Sequence, residues 1–153
     1  MSPHAAEPHD GKSDVRQTDG FDIDVVCPHD APELPPPSEV RRLCIAAAAC
    51  LGVRDGHVGV EFVNARRIAA LNERHRGIAS PTDVLSFPID GLEEDLGVDR
   101  ELGDIVICPE HTQDMREAIV HGVLHLLGMD HETDDGEMLA LQDEILAREH
   151  PQP

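Results

Sequence analysis

The chain has 153 residues, the length of one domain and enough to bury a real core. Its 31 Asp and Glu against 12 Lys and Arg give a formal net charge of −19, which repels phosphates at long range and excludes a general nucleic-acid coat. With no Trp or Tyr and three Phe there is little to build a stacking platform for single-stranded bases, while 40% apolar residues exclude a wholly disordered chain.

Residues 1 to 20 are polar, contain Pro and Gly and lack periodicity, so a disordered tail is expected, with His4 and His9 as solvated side chains. That stretch holds no apolar signal region, and the longest apolar run, Leu43 to Leu51, is far below the roughly 20 residues of a membrane span. Cys27, Cys44, Cys50 and Cys108 are scattered without a C-x-x-C pair, which reads as reduced, mostly buried thiols. A cytoplasmic protein with no membrane contact is expected.

Phe21 to Val25 alternates apolar and acidic residues, a half-buried strand. After a Pro-rich link, Ser38 is the expected cap of a helix from Glu39 to about Leu51, stopped by Gly52. His57 to Val63 predicts a second strand, and Ala65 to His75 a second helix stopped by Gly77. Asp83 to Phe87 predicts a third strand, Asp90 to Gly103 an acidic loop, and Asp104 to Cys108 a buried strand. A helix is then expected from Pro109 to about Leu127, broken by Gly128, and a last helix is capped by Asp134 or Asp135. Strands and helices mix without strict alternation, so the pattern alone leaves α+β and α/β open. The domain is expected over residues 21–150.

The segment HGVLHLLGMDH, residues 121–131, is the informative one. His121 and His125 stand four apart, which on a helix puts both imidazoles on one face with Cβ atoms about 5–6 Å apart. Gly128 permits a turn at positive φ that returns His131 toward the same point. Three neutral imidazoles leave a fourth coordination corner free, the open type of metal site. An all-imidazole set favours zinc, one Zn2+ per chain, with nickel or copper also able to bind. The spacing H-x3-H-x2-G-x2-H matches the metzincin protease helix, but the glutamate that follows the first histidine there is Gly122 here. The ligand scaffold is thus shared without the general base. Asp130 is open to two readings, orienting a ligand or capping the turn.

That segment, together with PTDVLSFP (81–88), LGDIVIC (102–108) and LNERHRG (71–77), resembles the YbeY family of bacterial endoribonucleases. The resemblance implies an α+β fold class: a single domain with a mixed, roughly four-stranded sheet packed with helices and a metal site on a helix–glycine turn. It implies a zinc-dependent, single-strand-specific endoribonuclease of 16S rRNA 3′-end maturation and ribosome quality control. Ribosomal RNA and the small ribosomal subunit with its proteins are the implied partners, and DNA is not. His121, His125 and His131 match the family's metal ligands, and Arg76 matches an arginine needed for activity. His75 stands where the family has Tyr, and Ile78-Ala79 where Lys-Asp is common.

Charge is uneven along the chain. Residues 41–76 hold seven Arg against three acids, whereas residues 77–153 hold three Arg against nineteen acids. If the helices at 38–51 and 65–76 flank the cleft, those arginines form a positive strip beside the metal; otherwise they are solvated helix faces. Two rivals remain: a metallopeptidase, against which Gly122 counts, and a non-catalytic ribosome-associated protein with a structural metal, which a fourth ligand such as Asp130 or Cys108 would support.

Overall fold

Phe21 and Ile23 turn inward and Asp22 outward along β1 (Phe21–Val26), the alternation the sequence predicts. The computed structural model describes residues 20–28, 33–89 and 101–149. The tail expected over 1–20, Gly20 apart, and residues 90–100 of the acidic loop lie outside them.

α1 (Pro37–Cys50) starts before the expected Ser38 cap. Pro36 sits at the N-cap and Pro37 inside the first turn, with no side-chain cap. Proline has no N–H to satisfy and a φ preset for helix, so it replaces the cap that Ser38 was expected to supply. Val40, Leu43, Cys44, Ala47 and Ala48 form its buried stripe at helical spacing. β2 (Gly56–Phe62) follows. α2 (Ala65–Arg76) is capped by Asn64, whose side chain accepts from the Arg67 N–H at 2.8 Å, and is ended by Gly77 at φ 74°.

β3 (Val84–Pro88) runs antiparallel to β4 (Glu101–Ile107), and β1, β2 and β4 are parallel. The strand order β1-β2-β4-β3 is the mixed four-stranded sheet expected. β4 begins three residues before the predicted Asp104, inside the supposed loop. Leu102 bulges out of the pairing with β2, and Gly103, at φ 137°, lies against the Phe87 carbonyl where a Cβ would overlap it. Glycine and acid content made this segment read as a loop, whereas the glycine is what lets the strands close.

A Pro109–His111 turn of 3-10 helix leads to α3 (Met115–Leu126) and then α4 (Glu137–Arg148). The helix expected from Pro109 therefore starts six residues later. Thr112 and Asp114 are extended, and Asp114 is the true cap, its carboxylate accepting from the Glu117 N–H at 3.1 Å. Neither Asp134 nor Asp135 takes the cap position of α4: Gly136 does, at φ 99° and with no side-chain cap, while the Asp134 carboxylate just before it accepts from the N–H groups of Gly136 and Met138.

Successive β4 residues point to opposite faces. Ile105 and Ile107 join the main core with α1, α3 and α4, while Val106 packs with Leu85, Val63, Ile68 and Cys108 under α2. Cys44 and Cys108 are buried, but Cys27 and Cys50 are exposed, which corrects the expectation of mostly buried thiols.

His57 bridges three strands, with Nε2 2.9 Å from Asp24 and Nδ1 3.1 Å from Glu101. Partial burial alone would lower its pKa, but the hydrogen bonds to Asp24 and Glu101 outweigh it and raise the imidazole above its ordinary 6.5. Protonated His57 is therefore favoured by folding. Its stabilisation is complete below the unfolded-state pKa and fades as pH rises through the folded value. His57→Gln is expected to lower the melting temperature at pH 5.5 and to lower it less at pH 8.5. An effect that grows with pH would contradict this.

Candidate metal centre

α3 carries His121 and His125 one turn apart, half-buried on one side of the helix, with ring centroids 4.7 Å apart. The helix ends in a Schellman-type closure: the Met129 N–H reaches the Leu124 carbonyl and the Gly128 N–H the His125 carbonyl, both at 3.0 Å. Gly128 takes φ 101° and reverses the chain. The Asp130 carboxylate then accepts from the Glu132 N–H at 3.0 Å, so of its two sequence readings the turn cap is the one made. His131 is delivered with its ring 5.1 Å from that of His121 and 5.3 Å from that of His125. One nitrogen from each of the three lies within 4.8 Å of the others, and no further His, Cys, Asp or Glu joins this cluster among the described residues.

The donor set fits a metal ion. His125 Nδ1 lies 2.9 Å from the Met129 carbonyl oxygen. A carbonyl only accepts, so Nδ1 carries the proton and Nε2 keeps its lone pair for a metal. His121 Nδ1 is likewise engaged, 2.8 Å from Gln142 Oε1. Burial, followed by the neighbouring His121, holds His125 below its ordinary 6.5, which keeps the imidazole neutral as a ligand must be.

These imidazoles line a cleft of about 1020 Å³ between β3, the 111–114 segment, the end of α3 and the start of α4. Arg76, the last residue of α2, lines it too. None of the six other arginines between residues 41 and 76 does. Arg42 is instead tied to Glu149 at 2.7 Å and Glu39 at 3.5 Å. The cleft wall itself is therefore not an arginine strip: Arg76 shares it with Asp83, Asp114, Glu117, Asp130 and Glu132. His75 packs its ring on Phe87, centroids 4.7 Å apart.

Gly122 is dictated by packing. A Cβ there would stand 2.7 Å from Ile105 Cγ2 and 3.1 Å from its Cδ1, and Ile105 is fully buried. The helix can approach β4 this closely, and Ser86 Oγ can donate to the Gly122 carbonyl at 3.2 Å, because no side chain intervenes. A protease-type glutamate has no room at this position. Gly122→Ala is expected to cost about 1–3 kcal/mol of stability by overpacking, read by denaturant unfolding; an unchanged midpoint would show that Ile105 yields freely.

Sequence reading missed Gln142 and the cleft-lining Asp114 and Glu117. Gln142 carried a signal, since it is the polar member of the stripe Met138, Gln142, Ile145 that α4 buries. Asp114 and Glu117 carried none, because within a helix expected to start at Pro109 they are two acids among many in an acidic chain.

A cleft floored by three convergent imidazoles, with no fourth protein ligand among the described residues, is the architecture of an open metal centre on an α+β domain. The family model for Endoribonuclease YbeY matches residues 38–150. Endoribonuclease YbeY of Macrococcus caseolyticus is 38% identical over 135 residues, 76% of this chain and 86% of the relative. That of Geobacillus kaustophilus is 43% identical over 130 residues, 71% of this chain and 83% of the relative. A solution structure from Thermotoga maritima is 28% identical, with 83% of this chain and 88% of that one covered and a TM-score of 0.49. The chain belongs to the YbeY endoribonuclease family.

Proposed function

We propose that this protein is a zinc-dependent endoribonuclease that cuts single-stranded RNA in small-subunit ribosomal RNA maturation, at the 16S 3′ end, within the cytoplasm. The observation that carries the reading is the open tri-histidine cleft with Arg76 on its wall, in a chain similar over most of its length to proteins named as endoribonucleases. No described helix is long and apolar enough to cross a membrane.

His121, His125 and His131 would hold the ion, one per chain. Bound there, zinc would supply Lewis acidity, able to polarise a phosphoryl oxygen and to bring a water's pKa toward about 7. Three neutral ligands leave the full dipositive charge in place. That matters because the cleft wall carries five carboxylates and one guanidinium among the described residues, a field that repels a phosphodiester and that a dication would offset in part, most strongly beside the ion. Arg76 offers forked N–H donors to the phosphoryl oxygens. His125 keeps its proton on Nδ1, against the Met129 carbonyl, and so stays a ligand rather than a proton carrier. The nucleophile, water or the RNA 2′-OH, is not assigned to a residue.

The peptidase rival loses its base at Gly122, and the structural-metal rival lacks a fourth ligand among the described residues: Cys108 packs under α2, and the Asp130 carboxylate is engaged by the Glu132 N–H. The test offers the protein a small-subunit rRNA fragment and an unstructured peptide, with and without chelator. Cleavage of RNA alone, abolished by chelator, is expected. Cleavage of peptide and not RNA would overturn the reading.

A further inference from the structure

Gln142 and Asn72 are the two buried polar side chains among the described residues. An amide in a core costs free energy unless both its ends are bonded, and Gln142 has both ends bonded. Its Oε1 lies 2.8 Å from His121 Nδ1, and its Nε2 donates to Glu117 Oε2 at 3.3 Å. Glu117 sits on α3 one turn before His121, so the chain of contacts leaves α3, crosses to α4 and returns to α3.

The order of donors in this chain is fixed from its outer end. A carboxylate offers only acceptors to an amide, so Glu117 draws the NH2 end of Gln142 toward itself. The oxygen end is then left facing His121. An amide oxygen only accepts, so His121 Nδ1 must carry the proton, and Nε2 must carry the lone pair. Without Glu117 the amide can flip, present its NH2 group to Nδ1, and stabilise the opposite tautomer, in which Nε2 is protonated and useless to a metal. His125 needs no such device, because a backbone carbonyl cannot flip.

We infer that Gln142 is a positioning residue for the metal centre, and that Glu117 acts through it to hold His121 in the metal-binding tautomer. This rests on the tri-histidine reading of the site.

The experiment titrates Zn2+ into the metal-free full-length chain against a competing chelator, and reads the ring-nitrogen tautomer of His121 by 15N NMR. Gln142→Leu is expected to weaken Zn2+ binding by about 10–100-fold, the usual cost of losing such a partner, and to release the Nδ1–H tautomer. Glu117→Ala, on the cleft wall and tolerable even if Gln142→Leu fails to fold, is expected to weaken binding less and to mix the tautomers. The exchanged pair Glu117→Gln with Gln142→Glu rebuilds the chain with its donor and acceptor ends reversed between the two side chains, and is expected to recover wild-type affinity. A purely structural role would move the melting temperature and leave the tautomer alone. Unchanged Zn2+ affinity and tautomer in Gln142→Leu, or in Glu117→Ala where the first variant does not fold, would overturn the inference. An unaltered chain that takes up no Zn2+ would instead bring down the metal centre itself.

Discussion

Replacing His125 with alanine is expected to remove both metal binding and RNA cleavage. His125 is the central ligand of the three in chain order and the best constrained. Its Nδ1 is fixed by the Met129 carbonyl, its pKa is held below 6.5 by burial and by His121, and its ring lies within 5.3 Å of both partners. Two imidazoles chelate far more weakly than three, and loss of a ligand should exceed the roughly 10–100-fold that orienting partners cost. Zinc affinity should therefore fall by more than about 100-fold and cleavage should fall to background. Circular dichroism should stay close to wild type, because the histidine is half-buried at the cleft rather than in the core. Measured zinc content of one ion per chain in His125→Ala would contradict the assignment.

Arg76→Lys is the second large effect, and its signature differs. Arg76 lines the cleft but is not among the clustered ligands, so zinc content should not change. The substitution keeps the positive charge and loses the planar fork that matches two phosphoryl oxygens. Among five cleft carboxylates a single flexible ammonium is easily drawn aside, so position as well as charge is lost. Activity should fall by about 10²-fold, in the range for removal of one preorganised donor. Full activity at full zinc content would show that the guanidinium geometry plays no part.

The clustering of the three histidines was legible because its geometry is local. An i, i+4 pair on a helix and a glycine turn encode the convergence of His121, His125 and His131 within eleven residues, and no long-range packing can alter it much. The strands were legible where alternation is clean, as in Phe21–Val26 and Gly56–Phe62. What failed depended on contacts distant in sequence. Gly103 reads as loop until Phe87 of the neighbouring strand is beside it, and Pro109 reads as a helix start until the Thr112 hydroxyl closes the turn onto the Cys108 carbonyl at 2.7 Å. The place of Arg42 is a distant contact of the same kind: Glu149, which holds it, lies 107 residues away. Gln142 orienting His121 across 21 residues is likewise a tertiary fact, hinted at only by an amide on an apolar stripe.

The resemblance to the YbeY family and the physics of the site meet at Gly122. The residue that separates this scaffold from a zinc protease is not a neutral gap: the helix approaches β4 so closely that even a Cβ there meets the Ile105 side chain at 2.7 Å.

The most direct test of a single tri-histidine ion driving RNA cleavage is a stoichiometric titration. Zn2+ is added in sub-equivalent steps to the metal-free chain while bound metal and cleavage of a small-subunit rRNA fragment are followed together. Both should rise in proportion and break at one equivalent per chain. Cleavage that is already complete before metal is added, or that ignores the first equivalent, would contradict it.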